Sequence, residues 1–298
     1  MVSWPDLGTR VTVRYRRPAG SVPPLTDAVG HLLAVDPLVR VQTKTGAVVE
    51  FASTDVVALR VLADAPVRTS EIRALEHAAA AAWPGVERTW LAGWLLRAGP
   101  GAGPAANSAV PLDISAHMSA VPAIVAWYDR RGLTPLLAIP DRLLPLPPGL
   151  TGEHTERILV RDVSEVPIGD PDPSTTLSAR PDDAWLRAYQ REIPVDVLTA
   201  VIDGEVTFGT HPGVAVARAA LTDAPDGTRW VGLSSIRAAD DQAAVALCGA
   251  LLAWGADRGA ARAYLCAQET GATTLAEALG FRLHHRRRYF PARTMDTV

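Results

Sequence analysis

The sequence predicts a mixed α/β fold preceded by a small all-β unit. Three observations carry this. Residues 10–16 and 39–51 alternate apolar and polar side chains, the mark of half-buried strands. Ile72, Leu75, Ala79 and Trp83 recur at helical spacing and give an apolar stripe. Residues 213–290 read strand, strand, helix, strand, helix, strand, an order that needs at least one parallel pair. With 298 residues, 48% hydrophobic and 20% charged, the chain is long enough for two globular domains.

Residues 5–62 hold the all-β unit. "RVTVRYR" (10–16) and "VRVQTKTGAVVEF" (39–51) are strand runs, and Lys44-Thr45-Gly46 turns the chain inside the second, with Gly46 free to take a positive φ. "AVGHLLAVD" (28–36) and "DVVALRVL" (55–62) are the strands on either side. Short strands this densely spaced predict a small barrel. The unit resembles the SH3-like barrels that precede some actinobacterial acyltransferases, which share no common chemistry.

Next comes a helix at 69–85, capped by Thr69 or Ser70 and stopped by Pro84-Gly85. Residues 87–99 read as one strand and 105–113 as its return. A helix at 115–132 is either kinked or restarted by Pro122, and a strand follows at 134–141. The Pro-rich stretch 144–175 reads as a boundary, with one strand at 157–163 inside it. Asp182 caps a helix at 181–193. Strands at 213–221 and 228–238 are joined by "TDAPDG", a strong turn signal. A helix at 242–257, a strand at 261–267, a short helix at 273–279 and a strand at 281–290 complete the chain. No internal sequence repeat is visible. The expected division is 1–65 and 66–298, the latter with halves 66–145 and 181–298 around a connector at 146–180.

The net charge of −3 argues against a nucleic-acid partner, which would call for a basic surface. Lys44 is the only lysine; the Arg, Ala and Pro bias fits GC-rich coding. Cys248 and Cys266 form no C-x-x-C pair, so no cysteine zinc site and no other metal site is expected. Both lie in apolar strings, as inert buried thiols do, and two thiols suit a reducing cytoplasm. The N-terminus lacks the apolar core of a signal peptide, and no apolar run approaches membrane-spanning length. A cytoplasmic protein without a membrane partner is expected, and a homo-oligomer stays open.

In this order of elements, "LLAWGADRGAARAYL" (251–265) and "ATTLAEALGFRLHHRRRYF" (272–290) are similar to the GNAT superfamily of acyl-CoA N-acyltransferases, with Leu275, Leu279, Gly280 and Phe281 in register. "WPGVERTWLAGWLLRAG" followed by "AANSAVPL" resembles a subgroup that reads Arg-Ala-Asn-Ser there; Ala105 stands in place of the Arg, while Asn107 and Ser108 remain. The resemblance covers roughly residues 70–290. It implies a GNAT-like mixed sheet and acetyl-CoA-dependent transfer to the amine of a small molecule or peptide. It also implies that Leu233, Ser234, Ser235 and Ile236 pair with pantetheine. Ala239, Ala243, Ala244 and Val245 would border the phosphates, with Arg237, Arg258 or Arg262 as replacement phosphate ligands.

Three departures stand against that picture. The family's glycine-rich phosphate turn is here Ala238, Ala239, Asp240, Asp241 and Gln242. Each charge-assisted hydrogen bond lost there costs ~1.5–3 kcal/mol. Two carboxylates facing a diphosphate repel it by up to roughly 4 kcal/mol, while a helix N-terminus returns only ~0.3–1 kcal/mol. Asp241 reads instead as a helix cap. The family's catalytic Tyr is replaced by Ala276, and its Asn by Glu269. Candidate bases are Glu205 and Glu269, and candidate acids Tyr264 and Tyr289. Tyr264 alternates with apolar neighbours and also reads as core. "HHRRR" (284–288) reads equally as an anion site or a charged edge strand; on a strand, His284 and His285 would diverge, which speaks against a metal pair. A fold that kept its architecture but lost its cofactor, as a binding or scaffolding module, is the competing expectation.

Overall fold

The computed structural model describes residues 4–5, 9–18, 20–43, 47–62, 67–99, 101–146, 150, 152–165, 174–268 and 273–295. The turn expected at 44–46 and Glu269 lie outside these residues. The chain divides into two compact units, Met1–Pro66 and Val67–Val298.

The first unit contains β1 (Arg10–Arg16), β2 (Leu25–Ala34), β3 (Val39–Thr43), β4 (Val48–Phe51) and β5 (Val56–Val61), in one antiparallel sheet of order β4-β3-β2-β1-β5. Val11, Val13, Leu32, Val39 and Val41 are fully buried in its core. The period-two pattern therefore identified the inward face correctly.

The second unit opens with α1 (Thr69–Ala82), β6 (Glu87–Leu91), β7 (Trp94–Ala98), β8 (Ala109–Pro111), α2 (Val121–Asp129), β9 (Leu136–Pro140) and β10 (His154–Asp162). It continues with β11 (Thr176–Ser178), α3 (Asp183–Tyr189), α4 (Val195–Thr199), β12 (Glu205–His211), β13 (Ala215–Asp223), β14 (Arg229–Ala238), α5 (Asp241–Asp257), β15 (Arg262–Gln268), α6 (Thr273–Ala278) and β16 (Arg282–Pro291). The cap of α1 is Arg68, whose backbone N–H donates to the Glu71 carboxylate at 2.7 Å, rather than Thr69 or Ser70. The span read as one strand at 87–99 is a hairpin. Ala92 and Gly93 turn it with φ of 45° and 84°, and an alanine at positive φ leaves no trace in a sequence. Pro122 starts α2 rather than kinking it. Asp182 caps α3 by accepting from the Trp185 N–H at 2.7 Å.

All these strands form one sheet, in the order β11-β12-β13-β14-β15-β10-β16-β9-β8-β7-β6. Among the described residues only β8/β9 and β14/β15 pair in parallel. The order contains a topological repeat that the sequence hides. β6-β7-β8-α2-β9 and β12-β13-β14-α5-β15 follow the same path, with a helical crossover joining the parallel pair. The strand that closes each half is lent to the other: β10 lies beside β15, and β16 beside β9. The presumed connector thus carries the centre of the sheet.

Helix α5 covers one face of the C-terminal half, where Leu247, Leu251 and Leu252 pack on Ala219, Val231 and Leu265. Helix α1 covers the other, where Leu75, Ala78 and Ala79 meet Ile158, Val160 and Tyr264. The close approach of α5 to the sheet is at Gly255, where a Cβ would stand 2.7 Å from Val231. On the opposite face a Cβ at Gly232 would stand 2.3 Å from the Tyr264 ring and hydroxyl. Gly232→Ala is expected to push that rigid ring aside and destabilise the protein by about 1–3 kcal/mol; an unchanged urea midpoint would contradict this contact.

Candidate active site

Strands β14 and β15 pair from Trp230↔Arg262 to Leu233↔Leu265 and then part. Each stays paired on its outer side, β14 with β13 as far as Ala238 and β15 with β10 as far as Gln268. The cause is local. Between Val216↔Arg237 and Arg218↔Ser234, β14 carries one residue more than β13, and Ser235 takes a φ of 54°. Such a bulge adds twist and re-aims the strand, opening a slot whose inner backbone edges lack strand partners.

The slot opens into a cavity of about 540 Å³. Leu233, Ser234, Ser235 and Tyr264, all expected from the sequence, line it, as do Gly232, Cys266 and Gln268. Cys266 faces the cavity while packing against the core; burial pushes it up to about 12, as it does the core thiol Cys248, so both keep their protons as the sequence implied. Burial also raises the Tyr264 phenol, so it keeps its proton.

Other expected residues lie elsewhere. Ile236, Ala243 and Val245 pack against the α5 core, and Ala244 is buried in it. Arg237 and Ala239 are exposed. Asp240, not Asp241, caps α5: its carboxylate accepts from the Ala243 N–H at 2.8 Å. Glu205 is removed from the cavity. It stands at the start of β12 and pairs at 3.1 Å with Arg258, which follows the C-terminal end of α5. That is about 25 Å from the helix N-terminus at 1.5 Å per residue, so Arg258 is no phosphate ligand either. Arg262, at the closed end of β15, pairs with Asp162 at 3.1 Å.

Among the described residues, the carboxylate the cavity contains is Glu156, on β10. Tyr289 donates to its Oε2 at 2.8 Å, and Arg287 Nη1 donates to the same oxygen at 3.1 Å. No hydrogen bond to Oε1 is made among the described residues. Arg287 in turn donates to both oxygens of buried Glu76 on α1, at 2.8–3.1 Å, and His285 Nε2 meets Glu76 at 2.7 Å. Burial alone would raise the Glu76 carboxyl. The Arg287 charge and the His285 hydrogen bond outweigh it and hold the group at about 2. The "HHRRR" run is therefore no charged edge: β16 lies between β10 and β9, with Arg287 and His285 turned inward. A bulge in its pairing with β10 also breaks the alternation and brings His284 Nδ1 within 2.8 Å of His285 Nδ1, so the two rings converge.

The sequence reading missed Glu156, yet a signal existed. Glu156 lies on the same strand face as Ile158 and Val160, so a carboxylate stands in register with two core positions.

Comparison with known proteins adds to this geometry. Residues 69–290 match the family model "Probable histone acetyltransferase Rv0428c C-terminal", and residues 5–60 match the Rv0428c N-terminal Sm-like domain. The chain is 68% identical over 300 residues to "Probable histone acetyltransferase Rv0428c" of Mycobacterium tuberculosis, covering 99% of this chain and 98% of the relative. The chain belongs to the Rv0428c family. A GCN5-related N-acetyltransferase from Kribbella flavida has the same fold, with a TM-score of 0.52 at 14% identity over 76% of this chain and 95% of that one. The Rv0428c architecture is thus a domain of GNAT-like fold, in a family described as probable histone acetyltransferases, preceded by a small Sm-like β unit. Among the described residues no helix is long and apolar enough to cross a membrane.

Proposed function

We propose that the protein transfers an acetyl group from acetyl-CoA to an amine, with Glu156 as the proton acceptor. The observation that carries this is the slot between β14 and β15. It leaves the inner backbone edge of Ser234 and Ser235 without a strand partner, suited to an amide-bearing pantetheine arm, and leads to Glu156, the one cavity carboxylate among the described residues, with an oxygen free of hydrogen bonds from those residues. The acceptor nitrogen attacks the thioester carbonyl carbon, a C–N bond forms and the C–S bond breaks. The proton lost by nitrogen passes to Glu156 Oε1, and the departing thiolate takes one up from solvent to leave as the free thiol; Glu156 then returns its proton to solvent, which closes the balance. Arg287 and Tyr289 fix Glu156 through its other oxygen. Tyr264, which retains its proton, is suited to hydrogen-bonding the thioester. The relative's name mentions histones; a lysine side chain is one member of the amine class this chemistry admits.

The glycine-free α5 turn favours the second reading, a binding module without CoA, because Asp240 already occupies the Ala243 N–H. Calorimetric titration with acetyl-CoA separates the two: micromolar binding supports transfer, and no heat at millimolar concentration overturns it. Asp240→Asn keeps a capping side chain and removes one negative charge. A gain of 0.3–1 kcal/mol at the helix terminus corresponds to a Kd for acetyl-CoA about 2–5-fold lower. An unchanged Kd would place the diphosphate away from this helix.

A further inference from the structure

The cavity also holds a cation that the transfer chemistry does not use. Arg97, on β7, is 4% exposed and lines the cavity. Its Nε donates to the Ser108 carbonyl at 3.4 Å, Nη1 to the Trp83 carbonyl at 3.2 Å and Nη2 to Ser108 Oγ at 3.0 Å. A guanidinium has five N–H groups, so one on each terminal nitrogen meets no acceptor among the described residues. No carboxylate there lies within ion-pair distance of Arg97. Burial, reinforced by the nearby Arg287 charge, works against its protonated form.

The contrast with Arg287 is informative. Both guanidiniums are buried in one cavity wall, but Arg287 has Glu76 and Glu156, while Arg97 has only neutral oxygens. A buried cation without a counter-ion is strongly unfavourable. On the Trp83 ring, Arg218 is fully buried, stacks at 4.1 Å and among the described residues hydrogen-bonds only to carbonyls and Ser234 Oγ. Arg191 also lines the cavity. With Glu156 and Glu76 engaged by Arg287, the described residues on this side of the cavity carry excess positive charge. An arginine fork with unused donors is suited to a carboxylate.

We propose that Arg97 is a specificity residue that binds a carboxylate of the acceptor, so that the substrate is a small amine carrying a carboxylate: an amino acid rather than a basic peptide. This rests on the acetyl-transfer reading, since it assigns that reaction's acceptor. The positive lining repels a lysine-rich chain and attracts a molecule with an ammonium for Glu156 and a carboxylate for Arg97.

The test compares acetyl transfer to a panel of α-, β- and γ-amino acids with transfer to their carboxamides and to a lysine-rich tail peptide. The expected result is at least one amino acid with a kcat/KM about tenfold or more above that of its own amide and above that of the peptide. Equal rates with acid and amide, or the peptide as best acceptor, overturn the proposal. Arg97→Gln should bring the acid-to-amide ratio near one while the Kd for acetyl-CoA is unchanged; a ratio that survives the substitution overturns the assignment to Arg97. If that variant does not fold, the wild-type acid-to-amide comparison decides alone. Acetyl-CoA titration without acceptor tests the underlying reading separately. If acetyl-CoA fails to bind, thermal shift with the same acids and amides still decides the subsite: stabilisation by acids only supports it, and none with any of the panel overturns it.

Discussion

Glu156→Gln is expected to lower kcat for acetyl transfer by at least about 100-fold, the lower end of what a positioned proton acceptor contributes. The substitution keeps the size of the side chain and an oxygen for Tyr289 and Arg287, so the fold should tolerate it. The Kd for acetyl-CoA should stay within about twofold, because the slot backbone at Ser234 and Ser235 is untouched. The loss should therefore fall on turnover and not on binding, a split that steady-state kinetics and calorimetry read together. Retained kcat would remove Glu156 from the chemistry and direct attention to Glu269 or to a water. Glu205→Gln serves as the control: that side chain is exposed and paired with Arg258 at the other end of α5, so its loss should leave turnover unchanged.

Glu76→Gln is expected to cost about 3–5 kcal/mol of stability, the penalty for breaking a buried ion pair by removing one partner. Arg287 would keep its bonds to Glu156 and Tyr289 but lose the Glu76 charge, and His285 would lose its charged acceptor. The pH dependence follows from the direction of the Glu76 shift. Its folded value is lowered to about 2 from an ordinary 4.5, so its contribution is fully present above about pH 4.5. That contribution is lost as pH falls from there through about 2, and it amounts to about 3 kcal/mol. His284 adds in the same sense. Burial, with the His285 and Arg262 charges, lowers it to about 3 from 6.5, so its share begins to fall below about pH 6.5. Urea unfolding of wild type and Glu76→Gln between pH 7 and pH 3 checks both points. The wild type should lose stability steeply on acidification and the variant less so; parallel curves would show that Glu76 is not held ionised by Arg287.

Much of the fold was legible because it rests on local periodicity. The helix stripe at Ile72, Leu75 and Ala79, the apolar run 247–254 of α5 and the alternation of β1 and β3 each report burial directly, and their apolar positions are buried as the pattern implies. What escaped did so for identifiable reasons. The Ala92-Gly93 turn carries an alanine at the positive-φ position where Asn, Asp or Gly would signal a hairpin, and the short strand β11 has only three exposed residues. In the sheet, β10 was read as a piece of a Pro-rich boundary because flanking prolines signal loops. Those prolines lie outside the strand.

By itself the sequence determined that an α/β domain of the GNAT kind follows a small β unit, that α5 is buried, and that the turn before it carries Asp240 and Asp241 where glycines would normally stand. Only the tertiary structure decided which carboxylate meets the slot. Glu205 and Glu156 look alike as isolated residues. The exchange of β10 and β16 between the halves sets Glu156 across from Gln268 and Arg287 and leaves Glu205 at the far end of the sheet. Strand order is fixed by pairings between segments more than a hundred residues apart, and local propensity carries no record of them.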